Sequence, residues 1–545
     1  MHTLKISAIA LTTALHCSGS HPPWSGSEEQ CRCFPGDHCW PGHDEWQAFN
    51  NTVGGRLVAT VPIGAVCHNS TFGPYDESSC AQLQSEWFFP QTHIHSSSSI
   101  MAPYFTNNSC NPFLGPNTSC TLGNLAVYAV NATSVDDIAR TIAFVRRHNI
   151  RLTIRNTGHD YMGKAAGAGS LSVWTHYVNE MQIVDYNSSF YTGKALKMGA
   201  GVMNQDSFKF THDHGLVNVG ANCPTLGVAG GYTQVVTGTG QVLIATPERN
   251  QDLYWALSGG GGGTYGVVSS LTVKTYPDVA TTASNLTFSP AGVDSGHYWD
   301  VVHTWIQSLP TLTASGCWAG WVLTTESFSL APGTCPGKDR EDMSRLLQPT
   351  LDKLKQYNIS YNLSITEFTS FYDSYVAYNA PWNVSNAQLG GRLIPKSLIE
   401  DNSIALLDAL RTLTDDFGIE VSGVTLNVSQ GTSAPGGNSV TPIWRTAVFD
   451  CVLGTDYHAD TVLANDMTQT YLPLLEQLTP GGGAYLNEAD FQQPDYKSVF
   501  YGGNYDRLLQ IKDKYDPGHI FYAITAVGSD RWYEDESRGG RLCRV

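Results

Sequence analysis

Arg155-Asn156-Thr157-Gly158-His159-Asp160-Tyr161 is followed further along the chain by Gly220-Ala221-Asn222-Cys223-Pro224-Thr225-Leu226-Gly227, which runs on to Gly230-Gly231. Each stretch sets one nucleophile, His159 or Cys223, in a turn of small residues where backbone can approach a bound molecule. Alone, such a histidine reads as a turn residue, and such a cysteine as half of a disulfide or a small buried apolar residue. The ordered pair in matching settings points instead to one ligand shared by both.

Outward from these stretches, residues 125–130 predict a short strand. Ser134 then caps a helix with Asp136 and Asp137 in its first turn, running through residues 142–147. Residues 150–155 form a second strand that ends on the His159 turn. Further strands are expected over 171–174, 183–186 and 195–198, and a helix over 206–214 stopped by Gly215. Residues 250–257 read as a short capped helix, and 267–276 as a strand closed by Pro277. Between them Gly261-Gly262-Gly263-Thr264-Tyr265-Gly266 matches G-x-G-x-x-G letter for letter. A Rossmann fingerprint follows a strand and opens a helix, whereas this run follows a helix and feeds a strand. It reads either as a flexible surface turn or as backbone N–H groups presented to a pyrophosphate.

Composition shifts after residue 277. Strand-like runs (421–428, 446–452) alternate with helical ones (340–356, 404–417), so 278–480 is taken as a second domain. A helix over 504–514 stops at Tyr515-Asp516-Pro517. Residues 21–120, rich in Pro, Gly, Cys and Ser, read as an irregular segment stapled by disulfides.

The chain has 545 residues, 41% hydrophobic and 11% aromatic, enough for large cores. Charged residues make up only 14%, against about 25% in typical soluble domains. The net charge of −17 argues against a nucleic-acid partner, because phosphate binding wants clustered Lys and Arg. Residues 1–20, with Lys5, an apolar run and Ser18-Gly19-Ser20, read as a secretory leader. That run is too short to span a membrane, and no later stretch of about 18 uninterrupted apolar residues exists. Sequons at Asn50, Asn69, Asn107, Asn117, Asn131, Asn187, Asn285, Asn358, Asn362, Asn383 and Asn427 fit a glycosylated secreted protein.

Of the 13 cysteines, seven fall between Cys31 and Cys120, and disulfides are the default for a secreted chain. Setting aside Cys17 and Cys223 leaves an odd number, so at least one is expected to be unpaired within the chain. Cys31, Cys33 and Cys39 with His38 and His43 do not have standard finger spacing, and no metal is expected. His212-x-His214 reads as a polar helix face. P-loop, H-E-x-x-H and G-x-S-x-G motifs are absent, which removes support for a nucleotide hydrolase, a zinc protease or an α/β-hydrolase.

Several runs resemble the berberine-bridge-enzyme-like oxidases of the vanillyl-alcohol-oxidase superfamily in their fungal secreted form. They are residues 31–37, 97–103, 154–161, 223–227 with Gly230-Gly231, 259–268, 483–490 and 501–505. The resemblance implies an α+β, two-domain flavoenzyme. Its PCMH-type FAD-binding domain would take residues 121–277, joined by a returning segment at 481–545. An antiparallel-sheet substrate domain capped by helices would take 278–480. His159 matches the histidine bonded to the flavin 8α-methyl, and Cys223 the cysteine bonded to C6. Arg155, Asn156, Thr157, Gly158, Asp160, Tyr161, Pro224, Thr225, Gly227, Gly230, Gly231, Gly263, Thr264, Gly266 and Val267 match the surrounding cofactor-binding runs. Tyr485, Asn487 and Glu488 fall on the family strand near the flavin ring, where a phenolate or carboxylate takes a proton as hydride leaves the substrate. Glu488 stands where plant members often carry Tyr.

The implied activity is oxidation of a small organic alcohol, amine or secondary-metabolite intermediate, with oxygen as acceptor. A carbohydrate oxidase is the rival within the class. One departure keeps a rival of another class open. After Gly230-Gly231-Tyr232-Thr233-Gln234 the family continues into a glycine-rich loop, whereas this chain passes straight to Val235, roughly twenty residues shorter by that comparison. The rival is a secreted glycoprotein, or a mis-spliced isoform, with an incomplete cofactor site.

Overall fold

Ser134 opens the helix expected of it. In the computed structural model its hydroxyl accepts from the Asp137 N–H, and the Asp137 carboxylate reaches back to the Ser134 N–H. This capping box satisfies donors that helix starts leave free. The helix, Val135–His148, ends on basic residues and on left-handed Asn149. Its Ile138, Ile142 and Val145 lie on one face and pack against Leu152, Leu171 and Val173 of a sheet. Residues 31–229, 232–379, 384, 387–429, 437–456 and 465–545 are described. The expected leader, Cys17, Asn383, Gly230 and Gly231 lie outside them.

That sheet contains β1 (Leu57–Ala59), β2 (Tyr128–Asn131), β3 (Arg151–Arg155) and β4 (Ser170–Trp174) in the order β1-β2-β4-β3. β2, β4 and β3 are parallel, the connection from β2 to β3 being the capped helix. A second sheet orders β5 (Met181–Asn187), β6 (Thr192–Gly199), β10 (Gly266–Pro277), β8 (Tyr232–Thr237) and β9 (Val242–Ala245), with β7 (Leu216–Asn218) on the end of β10. Val236 and Val267 of this sheet share a core with the first.

The third sheet is antiparallel and seven-stranded. It comprises β11 (Thr281–Phe288), β12 (Trp318–Leu323), β13 (Phe328–Pro336), β14 (Tyr361–Phe368), β15 (Ala387–Pro395), β16 (Glu420–Thr425) and β17 (Ala447–Asp456), ordered β14-β11-β13-β12-β16-β17-β15. Helices Ser295–Ala314, Arg340–Gln356 and Lys396–Arg411 cover one face, burying Trp305, Leu309, Trp321, Phe328 and Phe449. Side chains alternate along a strand. Phe449, Cys451 and Leu453 of β17 join that core, so Asp450 points to the opposite face. Among the described residues no helix is long and apolar enough to cross a membrane.

Two expectations need correction. The region read as irregular contains helices His43–Thr52, Glu77–Glu86 and Pro90–Ile94 as well as β1. Tertiary packing explains the first: Phe49 stacks on Phe144 of the capped helix at 4.1 Å between ring centroids, with Trp46 beside it. Tyr485, Asn487 and Glu488 are not on a strand. The Glu488 N–H donates to the Tyr485 carbonyl at 3.0 Å, a turn that takes this backbone out of any ladder.

Disulfides join Cys31–Cys543, Cys33–Cys39, Cys67–Cys80, Cys110–Cys120 and Cys317–Cys335. Cys223 and Cys451 are free thiols, so Cys451, buried in the core of the third sheet, is the unpaired cysteine that the odd count required. Cys31–Cys543 brings the two ends of the described chain together. A small hairpin of β18 (Trp532–Asp535) and β19 (Arg541–Arg544) lies beside it. Lys512, buried in helix Tyr505–Tyr515, donates to the Thr264 and Phe521 carbonyls and pairs with Asp516. It thereby fastens the glycine run to the C-terminal segment.

Candidate active site

β3 delivers Arg155 into the interior, where its guanidinium spends its hydrogens on protein carbonyls. It donates to Ser99, His93 and Ile94 of the preceding strap, and to Asn156 and Thr157 of its own turn. The Met101 N–H takes the Gly158 carbonyl at 2.9 Å. The turn's carbonyls are thus gathered on one side. The N–H groups of residues 157–161 donate to no protein partner among the described residues. Such a row of unpaired donors is an anion-binding concavity. Gly158 has φ +97°, and a Cβ there would lie 2.9 Å from the Ser99 carbonyl oxygen, so only glycine makes this bend. The Asp160 carboxylate ties the turn down through the Met162 and Ala165 N–H groups. Lys164 adds a cation; burial lowers it to about 8 while Asp160 opposes.

The second stretch meets the first directly. His159 Nε2 lies 2.7 Å from Thr225 Oγ1 and 3.9 Å from Cys223 Sγ. Burial, then the nearby His93 and Arg155, holds the imidazole near 4, so it is neutral and nucleophilic above that pH. Burial raises the Cys223 thiol, with Glu488 adding to the rise; the Thr225 N–H and hydroxyl and the Leu226 N–H pull it back. Asn156 donates to the Ala200 carbonyl at 2.7 Å, while its Oδ1 is buried without a partner. Gly227 packs so tightly on Asn156 that a Cβ would fall 2.0 Å from Nδ2.

The glycine run follows helix Gln251–Leu257 and feeds β10, as its position in the sequence predicted. The N–H groups of Gly261, Gly262 and Gly263 find no protein partner among the described residues. A Cβ at Gly262 would meet nothing within 4 Å, so backbone there borders open space. The Thr264 carbonyl is held by Lys512, as above. Gly266 and Val267 sit in the ladder with β8, and the Val267 side chain is core. Pro224 contributes its carbonyl to the Gln205 N–H.

The turn at 485–488 faces Cys223. Glu488 is within Coulombic reach of Cys223, Tyr161, Tyr485 and Asp450. Glu488, Tyr485 and Tyr161 keep some accessible surface, yet protein surrounds them closely. Burial raises the Glu488 carboxyl to about 6, and burial followed by Glu488 raises the Tyr485 phenol to about 12. Asn487, exposed, donates to the Tyr485 hydroxyl at 2.8 Å.

Sequence reasoning missed Asp450. It is 1% exposed, and neither carboxylate oxygen has a partner. Burial, then Glu488, raises its pKa far above the usual carboxylate range. The sequence signal was an Asp inside an apolar run, Val448-Phe449-Asp450-Cys451-Val452. Tyr375 was also missed. Its hydroxyl donates to the Asn222 carbonyl at 2.9 Å, so helix Phe371–Tyr378 clasps the Cys223 loop.

Comparison with known proteins agrees with this geometry. Residues 126–250 match the FAD binding domain family, and residues 484–528 the family described as Berberine and berberine like. The chain is 43% identical to FAD-linked oxidoreductase sor8 of Hypocrea jecorina, over 96% of this chain and 94% of that protein. It belongs to the berberine-bridge-enzyme-like FAD-linked oxidoreductases. Among solved structures, the VAO-type flavoprotein MtVAO615 of Myceliophthora thermophila is 36% identical with a TM-score of 0.88, covering 94% of this chain and 100% of that one. The glucooligosaccharide oxidase of Acremonium strictum, described with a 6-S-cysteinyl, 8α-N1-histidyl FAD, shares the fold at 15% identity and a TM-score of 0.62, over 74% of this chain and 92% of that one. In this FAD-linked oxidoreductase the donor set suits the cofactor. Unpaired N–H groups at 157–161 and 261–263 with Lys164 suit an anionic pyrophosphate. The orphaned Asn156 Oδ1 lies in the same turn as His159.

Proposed function

We propose that this FAD-linked oxidoreductase carries its flavin on two covalent bonds, from His159 and Cys223, and oxidises a small organic alcohol, amine or secondary-metabolite intermediate with dioxygen as acceptor. The observation that carries this reading is the 3.9 Å approach of His159 Nε2 to Cys223 Sγ beside a proton-accepting cluster. The bound flavin supplies acceptance of a hydride from a substrate carbon. The N–H groups of residues 157–161 and 261–263, with Lys164, hold its phosphates. Tyr161, Tyr485 and Asn487 orient the substrate. Glu488, ionised above about pH 6, takes the proton from the substrate oxygen or nitrogen. Asp450 retains its proton beside it, because burial and then the nearby Glu488 carboxylate disfavour its ionised form. Close surroundings at Glu488, Tyr485 and Tyr161 support a compact substrate over an extended sugar chain.

Acid-precipitated protein is expected to stay yellow. His159→Ala and Cys223→Ala each leave one link, and the double variant none, read as flavin fluorescence on denaturing gels. A fluorescent band from the double variant would refute the anchors. Colourless protein expressed from the 545-residue sequence would favour the glycoprotein or isoform without a complete cofactor site.

A further inference from the structure

Thr225 Oγ1 lies beside both attachment nucleophiles, 2.7 Å from His159 Nε2 and 3.8 Å from Cys223 Sγ, and its residue is buried. We propose that Thr225 is the positioning residue for cofactor attachment, one hydroxyl that aims both nucleophiles and carries the proton that His159 must lose. The proposal rests on the bicovalent reading above.

The argument begins with what a hydroxyl can do. It donates one hydrogen and accepts at two lone pairs. A hydroxyl hydrogen directed at the sulfur favours its thiolate, and a lone pair is then left to accept the Nε2–H. That arrangement fixes the histidine tautomer and leaves the Nδ1 lone pair free to form the bond. Attachment joins Nδ1 to the 8α carbon. One hydrogen leaves that carbon, the imidazole hydrogen leaves through Nε2, and two electrons pass by way of the flavin to dioxygen, giving one hydrogen peroxide. The cysteinyl bond balances in the same way: the C6 hydrogen and the thiol hydrogen leave, with a second dioxygen reduced to peroxide. Once Nδ1 is alkylated, Nε2 is an acceptor. The same hydroxyl can reverse its role and donate to it, which neither a backbone N–H nor a carbonyl can do.

A side chain that merely filled space would be replaced well by valine, which has the same shape. The test therefore compares the full chain as wild type, Thr225→Val, Thr225→Ala and Thr225→Ser, each expressed with flavin available. Proteolysis and mass measurement of the His159 and Cys223 peptides give the fraction linked over time, and thermal melting reports the fold. Val and Ala are expected to slow formation of the histidyl link at least about tenfold, the kinetic equivalent of one lost hydrogen bond, and to slow the cysteinyl link less. Ser is expected to restore both. Val or Ala protein linked at both sites at the wild-type rate would overturn the proposal alone, as would a Ser variant as slow as Val. Ala keeps the test decisive if Val does not fold. Wild-type protein with no histidyl link would overturn the bicovalent reading together with this one.

Discussion

Glu488 sits where one carboxyl is asked to be both buried and basic. Its value near 6 follows from burial, and the sign of the consequence is fixed: the proposed base is competent when ionised. Flavin reduction by substrate should accelerate as pH rises through about 6 and level off above it. Glu488→Gln should remove that limb and slow reduction by about 10²–10⁴-fold with covalent flavin intact; Tyr485→Phe should also slow it. Anaerobic stopped-flow reduction measures both, and wild-type rates in both variants would exclude this turn as the source of the base. Tyr485, Asn487 and Glu488 entered through the family resemblance of the run at 483–490, a local stretch of sequence. Asp450 could not be found that way, since only the pairing of β16, β17 and β15 sets the face it occupies. Arg155 was expected in the cofactor-binding run, and five protein carbonyls take its side-chain donors. Its contribution is to turn the backbone so that the N–H groups beyond it remain free.

Two elements from distant parts of the chain secure the Cys223 loop and the glycine run. Helix Phe371–Tyr378 presses Tyr375 onto the Cys223 loop, with Phe208 edge-on to both Phe371 and Tyr375. Tyr375→Phe should cost about 1 kcal/mol and slow the cysteinyl link while sparing the histidyl one, as peptide mapping would reveal. Lys512 and Asp516 form a fully buried pair. Lys512→Met removes the cation paired with Asp516, leaving it the Ile520 and Phe521 N–H groups and the nearby Arg32, and frees the Thr264 carbonyl, so a loss of up to about 3–5 kcal/mol should appear in denaturant titrations. Capped and periodic elements were legible in advance: the helix after Ser134, the strand ending at Arg155, and the helix before the glycine run. Helix His43–Thr52 was not, because a Pro-, Gly- and Cys-rich neighbourhood hides a face that exists only against Phe144. The turn at 485–488 was mistaken for a strand because a resemblance transfers residue identity more securely than backbone shape. Where the sequence reading placed a gap after Gln234, β8 runs on, its pairing with β10 shifting register between Gln234 and Val235 while its pairing with β9 stays regular.

At the scale of the whole molecule, five disulfides and exposed sequons at Asn69, Asn107, Asn117, Asn187, Asn358, Asn362 and Asn427 support export and glycosylation. Asn131 and Asn285 differ, each with a buried, unpartnered Oδ1. Enzymatic deglycosylation of protein from its native host should lower the mass by several kilodaltons, with sugar on the exposed group and none on Asn131 or Asn285. An unchanged mass would count against export. Alternating runs marked a second domain and the family resemblance implied its antiparallel sheet and helical cover, whereas the partner of Cys31, 512 residues away, was beyond any local pattern. That bond makes the polypeptide from Cys31 to Cys543 a covalent ring. A linear enzyme cut once by a protease becomes two pieces held only by packing. This one, cut once anywhere between those residues, stays a single molecule, so a nick in a surface loop would be silent on a non-reducing gel and visible only after thiol treatment.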